Sequence, residues 1–148
     1  LGRNCELNEI TNKCELIRKA VSDTTGVASI FLFPDHSGAA TLRHDDLLDA
    51  RSQKEEIQTV DATTLDHLMF RETTTPMVVK IDVEGFEKTV IETLLQTKFA
   101  NEISEIYYEV DRNWLDAKEL ETMLRDHGFK NFRKVGQSDV HFDVLAAK

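Results

Sequence analysis

Asp82 and Glu84 stand on either side of Val83, at the end of Met77-Val78-Val79-Lys80-Ile81, and Gly85 follows at once. Two carboxylates at such a break could position a nucleophile, take its proton, or bind a divalent cation. Residues two apart on a strand share a face, so Lys80, Asp82 and Glu84 are expected on one side. A structural alternative stays open: Lys80 pairs with a neighbouring acid, and Glu84 caps the helix that follows. Gly85 serves either reading, because the tight turn it permits is also what brings backbone close to a ligand.

The elements that must position these residues follow from the pattern around them. Met77 to Asp82 is a β-branched apolar run, and Phe86, Val90, Ile91, Leu94 and Leu95 recur at helical spacing. The stretch therefore predicts a buried strand, a turn and a covering helix, the start of an α/β unit. In open α/β sheets, ligands sit at the carboxyl ends of the strands, where Asp82 and Glu84 fall. Glu109, near the end of the strand predicted over Ile103–Val110, reaches the same rim or is a solvated strand end.

Other chemistry is weaker. His36, His44, His67, His127 and His141 show no ligand spacing, and no metal site is expected. His127 reads as a cation near a helix C-terminus. Trp114, Tyr107 and Tyr108 read as core or rim aromatics. Cys5 and Cys14 form neither a disulfide framework nor a zinc pattern, and are expected as reduced, half-buried thiols in a cytoplasmic protein. The net charge of −9 and pI near 5.0 argue against nucleic-acid or anionic-membrane binding. No apolar run of about 18 residues is present to span a membrane, and no signal peptide is expected.

With 148 residues, 41% of them hydrophobic, one domain over 1–148 is expected. Leu1–Asn8 reads as helix, Glu15–Val21 and Ala28–Phe33 as strands, and residues 35–40 as a loop. Arg43–Glu56 reads as a solvated helix or mobile segment, and Ile57–Val60 as a short strand. Thr63 and Asp66 have capping-box spacing for a short helix, and Asp116 and Glu119 for a longer one, with Leu115 and Leu120 as its staple. That helix should stop at Gly128. Phe129–Val135 and Val140–Ala146 read as an antiparallel pair around Gly136.

Lys80-Ile81-Asp82-Val83-Glu84-Gly85-Phe86-Glu87 resembles the signature of FkbM-type S-adenosylmethionine-dependent methyltransferases. Lys19-Ala20-Val21-Ser22-Asp23, Val60–Leu68 and Glu105–Val110 resemble further pieces of that family, in order. The resemblance implies an α/β fold: a truncated Rossmann-like class I methyltransferase sheet with a C-terminal antiparallel hairpin. It implies methyl transfer from S-adenosylmethionine, at an oxygen of a small molecule or sugar. It places Asp82 and Glu84 as catalytic residues, Ala20, Val21, Ser22 and Asp82 against the cofactor, and Glu84, Gly85 and Glu109 against the acceptor.

The family's opening strand, glycine-rich turn and ribose-binding acid have no counterpart here. Gly2, Gly26, Gly38, Gly85, Gly128 and Gly136 are too dispersed to build such a turn. The chain thus resembles the C-terminal part of the domain, and cofactor binding is expected to be weak or absent. An apolar slot is expected between the Glu15–Val21 and Met77–Asp82 strands. Either those strands close on each other or another chain fills the gap; a homodimer is the expected outcome. The alternative to an enzyme is a noncatalytic interaction or assembly module completed by a partner or second copy.

Overall fold

The computed structural model describes residues 2–33, 40–42, 52–69 and 75–148. In chain order the elements are α1 (Gly2–Leu7), β1 (Ala20–Val21), β2 (Gly26–Leu32), β3 (Ala40–Thr41), β4 (Gln53–Val60) and α2 (Ala62–Leu68). There follow β5 (Met77–Ile81), α3 (Glu87–Leu95), β6 (Ile103–Asp111), α4 (Ala117–Asp126), β7 (Asn131–Val135) and β8 (His141–Ala147).

Among the described residues the strands form two four-stranded sheets, ordered β1-β4-β2-β3 and β5-β6-β8-β7. In the first, β1 runs parallel to β4, while β2 is antiparallel to both β3 and β4. In the second, β5 and β6 are parallel, and β8 lies antiparallel between β6 and β7. β1 and β5 each end a sheet, and they are not paired with each other. Of the two alternatives for covering the slot, closure of these strands on each other has not occurred. Side chains bridge the divide instead: Thr93 Oγ1 donates to the Ser22 carbonyl at 3.0 Å, and Thr41 Oγ1 to that of Glu84 at 2.8 Å.

The main core lies on the second sheet. Ile106, Tyr108 and Val110 alternate along β6 toward Ile91 and Leu94 of α3 and Leu120 and Leu124 of α4. Each such side chain contributes about 1.5–3 kcal/mol when fully buried. Leu115 and Leu120 are both buried at the start of α4, as a staple requires. Asp116 is its N-cap, accepting from Lys118 N at 2.9 Å, and Gly128 takes φ +90° just past its end.

Several boundaries differ from the sequence reading. The strand expected over Glu15–Val21 is only Ala20–Val21, because Glu15 to Arg18 are exposed and only the last two residues meet β4. β4 is longer than the expected Ile57–Val60. Gln53–Glu56 pair with Leu32–Ser29, so backbone pairing, not hydrophobic alternation, makes that stretch a strand. Residues 43–51, Pro34 and most of the loop expected over 35–40 lie outside the described residues. α2 is capped by Asp61, which accepts from Thr64 N at 2.8 Å, so Thr63 is inside the helix rather than at its cap. Asp66 turns away to accept from Lys98 N at 2.8 Å. No helix among the described residues is long and apolar enough to cross a membrane.

Candidate active site

β5 ends at Ile81, and the chain then turns sharply: Glu84 takes φ 52° and Gly85 φ 94°. Two consecutive left-handed residues reverse the chain into α3. The glycine is suited to its angle; the glutamate holds an uncommon one for a residue with a side chain. Lys80 Nζ and Asp82 Oδ2 are 2.6 Å apart, so those two do share a face. Glu84 does not share that face as a strand residue, because it belongs to the turn beyond β5.

The turn is organised by Glu87, a residue to which the sequence reading assigned no role. Its side chain is 1% exposed. Its carboxylate accepts from Val83 N at 3.3 Å and from Gly85 N at 3.1 Å. Burial raises the carboxyl above its usual range, while the N–H donors pull the other way. A glutamate that reads as the first helical residue is thus the buried anchor of the loop. Glu84 is not the cap: Phe86 holds the N-cap position of α3, and no side chain there accepts a capping hydrogen bond.

Glu84 projects toward two other acids. Carboxylate oxygens of Asp82, Glu84 and Glu109 lie within 4.8 Å of one another. One small cation could touch all three, although exposed acids commonly gather without one. Burial, then the charges of Glu109 and Asp82, raise the Glu84 carboxyl above its ordinary value. Glu109 is half-buried on β6, and His141 Nε2 at the start of β8 is hydrogen-bonded to its carboxylate. This bond comes first among the causes that raise the imidazole, and the Glu109 charge adds to it.

His141 has no signal in the linear sequence. It sits 32 positions from Glu109, and only the β6–β8 register, with Asp111 opposite His141 and Glu109 opposite Asp143, makes the two meet. His127, by contrast, caps α4, its Nδ1 2.9 Å from the Met123 carbonyl. Tyr108 is core, while Trp114 is half-exposed.

Beside the carboxylates, between β1 and β5, lies a cavity of about 740 Å³. Ala20, Val21, Val79, Val83 and Phe86 are among its apolar walls, and Lys19, Lys80 and Asp82 supply its charged groups. Three of the four residues expected against a cofactor, Ala20, Val21 and Asp82, therefore border one space. Ser22 does not. It is buried, its N–H donates to the Val60 carbonyl at 2.9 Å, and its hydroxyl donates to Asp23 at 3.1 Å.

No curated protein and no solved structure matches the chain. A family model described as the methyltransferase FkbM domain matches residues 1–130, a span that holds the β5–α3 turn, Glu109 and both walls of the cavity. The chain belongs to the FkbM methyltransferase domain family.

Proposed function

We propose that this domain's chemistry is transfer of a methyl group from S-adenosylmethionine to a hydroxyl oxygen of a small molecule or sugar. The observation that carries the reading is the convergence of Asp82, Glu84 and Glu109 beside the cavity bordered by Ala20, Val21 and Asp82. A group of hydrogen-bond acceptors suits a polyhydroxy compound and repels an anionic one. In this reading Asp82 and Glu84 hold the acceptor hydroxyl and take its proton. The raised Glu84 carboxyl favours that role, because a base works best with its pKa near the working pH. Glu84, Gly85 and Glu109 contact the rest of the acceptor, and His141 fixes the Glu109 carboxylate.

The described cavity fits part of the cofactor. Its apolar walls suit the faces of an adenine ring. The methionine portion, with an ammonium and a carboxylate, finds no matching pair: Lys80 is committed to Asp82, and Lys19 to Gln58. The 148 residues also hold no glycine-rich turn. We therefore expect weak binding and little independent turnover. Calorimetric titration of the 148-residue chain with S-adenosylmethionine tests this. A micromolar dissociation constant, about −8 kcal/mol, would overturn the expectation.

A second reading has its own support. Among the described residues, β1 and β5 each present an unpaired edge, and Leu7, Leu16, Ile17 and Val78 are large apolar side chains left exposed. Open edges invite pairing. This supports a noncatalytic assembly role, or a homodimer that completes the domain, because a two-fold contact is the commonest way for copies to cover such groups.

A further inference from the structure

We propose that Trp114 is a stacking platform for a pyranose ring of the methyl acceptor, which narrows that acceptor to an oligosaccharide. This rests on the reading above only for the ligand's role as methyl acceptor. Trp114 lies in the turn that follows β6, the strand that carries Glu109. It is 51% exposed, while Leu115, next in the chain, is buried. The turn is built on Asp111. Trp114 N and Leu115 N donate to the Asp111 carbonyl at 3.0 and 2.9 Å, and Asn113 N donates to Asp111 Oδ1 at 2.8 Å. Arg112 N donates to the Val140 carbonyl at 2.9 Å, which ties the turn to the start of β8. An exposed tryptophan is therefore held on a fixed backbone at the carboxyl end of β6.

The surroundings suit a sugar. The residues from Arg112 to Lys118 line a surface hollow of about 530 Å³. A pyranose ring presents C–H groups on its faces and hydroxyls around its rim. The negative π face of an indole attracts the first, and guanidinium, amide and ammonium groups donate to the second. Trp114 supplies the indole, and Arg112, Asn113 and Lys118 supply the donors. The Arg112 guanidinium lies 5.4 Å from the centre of the Phe142 ring, so β8 sets its position. Two strand residues span about 7 Å and a turn closes to about 7 Å, so Trp114 lies within about 14 Å of Glu109. A ligand that stacks one ring on Trp114 and brings another to Asp82, Glu84 and Glu109 has more than one sugar unit. A stacked nucleobase is the competing occupant of an exposed indole, but a net charge of −9 disfavours a nucleic acid.

Trp114 is the only tryptophan among the 148 residues, so tryptophan emission reports on this place alone. Titrating the 148-residue chain with maltose, cellobiose and lactose, without cofactor, should change that emission saturably for at least one of them. Trp114→Ala should weaken binding of that disaccharide by about tenfold or more, and Trp114→Phe, which keeps a ring, by less, as read from the sugar proton signals by NMR. The proposal is overturned if all three disaccharides leave the emission unchanged, if Trp114→Ala binds as tightly as wild type, or if S-adenosylhomocysteine alone changes the emission. The wild-type titration decides the matter even if a variant folds poorly. No cofactor enters it, so its failure is separate from failure of the methyl-transfer reading.

Discussion

Replacing Glu87 should be the most costly single change near the site. Its buried carboxylate serves two backbone donors, Val83 N and Gly85 N, in a turn where Glu84 and Gly85 both take left-handed angles. A buried donor left without a partner costs about 1–3 kcal/mol, so Glu87→Ala, which strands two, should cost about 2–6 kcal/mol. That is a large share of the ~5–15 kcal/mol that holds a typical domain together. Glu87→Gln keeps one acceptor oxygen and should cost roughly half as much. The same pair of variants tests the electrostatics. Burial raises the Glu87 carboxyl above its usual 4.5, so the folded state holds the proton more tightly than the unfolded one. Its contribution to stability is then full below the unfolded value and falls as pH rises through the folded value. The advantage of wild type over Glu87→Gln should accordingly shrink as pH rises above 4.5. Urea denaturation followed by circular dichroism across that range measures it. An advantage that grows with pH, or an alanine variant as stable as wild type, would refute the reasoning.

Other perturbations reach the rest of the site. Asp82→Asn should leave stability almost unchanged, because an exposed ion pair such as Lys80–Asp82 is worth about 0–1 kcal/mol. In any form of the domain that turns over, it should slow methyl transfer by about 10²–10⁴-fold if Asp82 takes the proton; unchanged kcat would make the residue structural. Glu109→Gln should lower the His141 titration toward its ordinary 6.5, with Asp111 and Glu84 still raising it, as read from the imidazole proton signals by NMR. The Glu109–His141 contribution to stability should be present below the unfolded histidine value and fade as pH rises through the folded one. An unmoved titration would mean that the pair does not persist in solution. Light scattering over a wide concentration range should show a dimer, and a monomer throughout would remove the homodimer reading.

The parts of the fold that the sequence announces are those in which local pattern and burial agree. Val90, Ile91, Leu94 and Leu95 fall at helical spacing and are all buried, so α3 is legible. Asp116, Leu115 and Gly128 mark α4 because capping and termination are local chemistry. β4 was half-hidden because Gln53–Glu56 carry no apolar alternation, and only the backbone of β2 makes them a strand. At the site, Asp82, Glu84 and Glu109 were legible as acids at strand ends. Glu87 was overlooked because a glutamate in the first turn of a helix ordinarily faces solvent and favours the helix dipole. His141 could not be found at all without the register that sets β8 against β6.

The division between the sheets also sets how stability is shared along the chain. Among the described residues the buried cluster begins at Val60 and runs to Ala146, and those before Val60 add only half-buried Val21 to it. The two walls of the cavity are therefore unequal. β5 belongs to the densely packed unit, while β1 hangs from β4 by a two-residue ladder. Amide hydrogens of β6 and α3 should exchange only on global unfolding, and those of β1 and β2 through smaller openings. The wall that carries the carboxylates should therefore outlast the wall that faces it when the domain is destabilised.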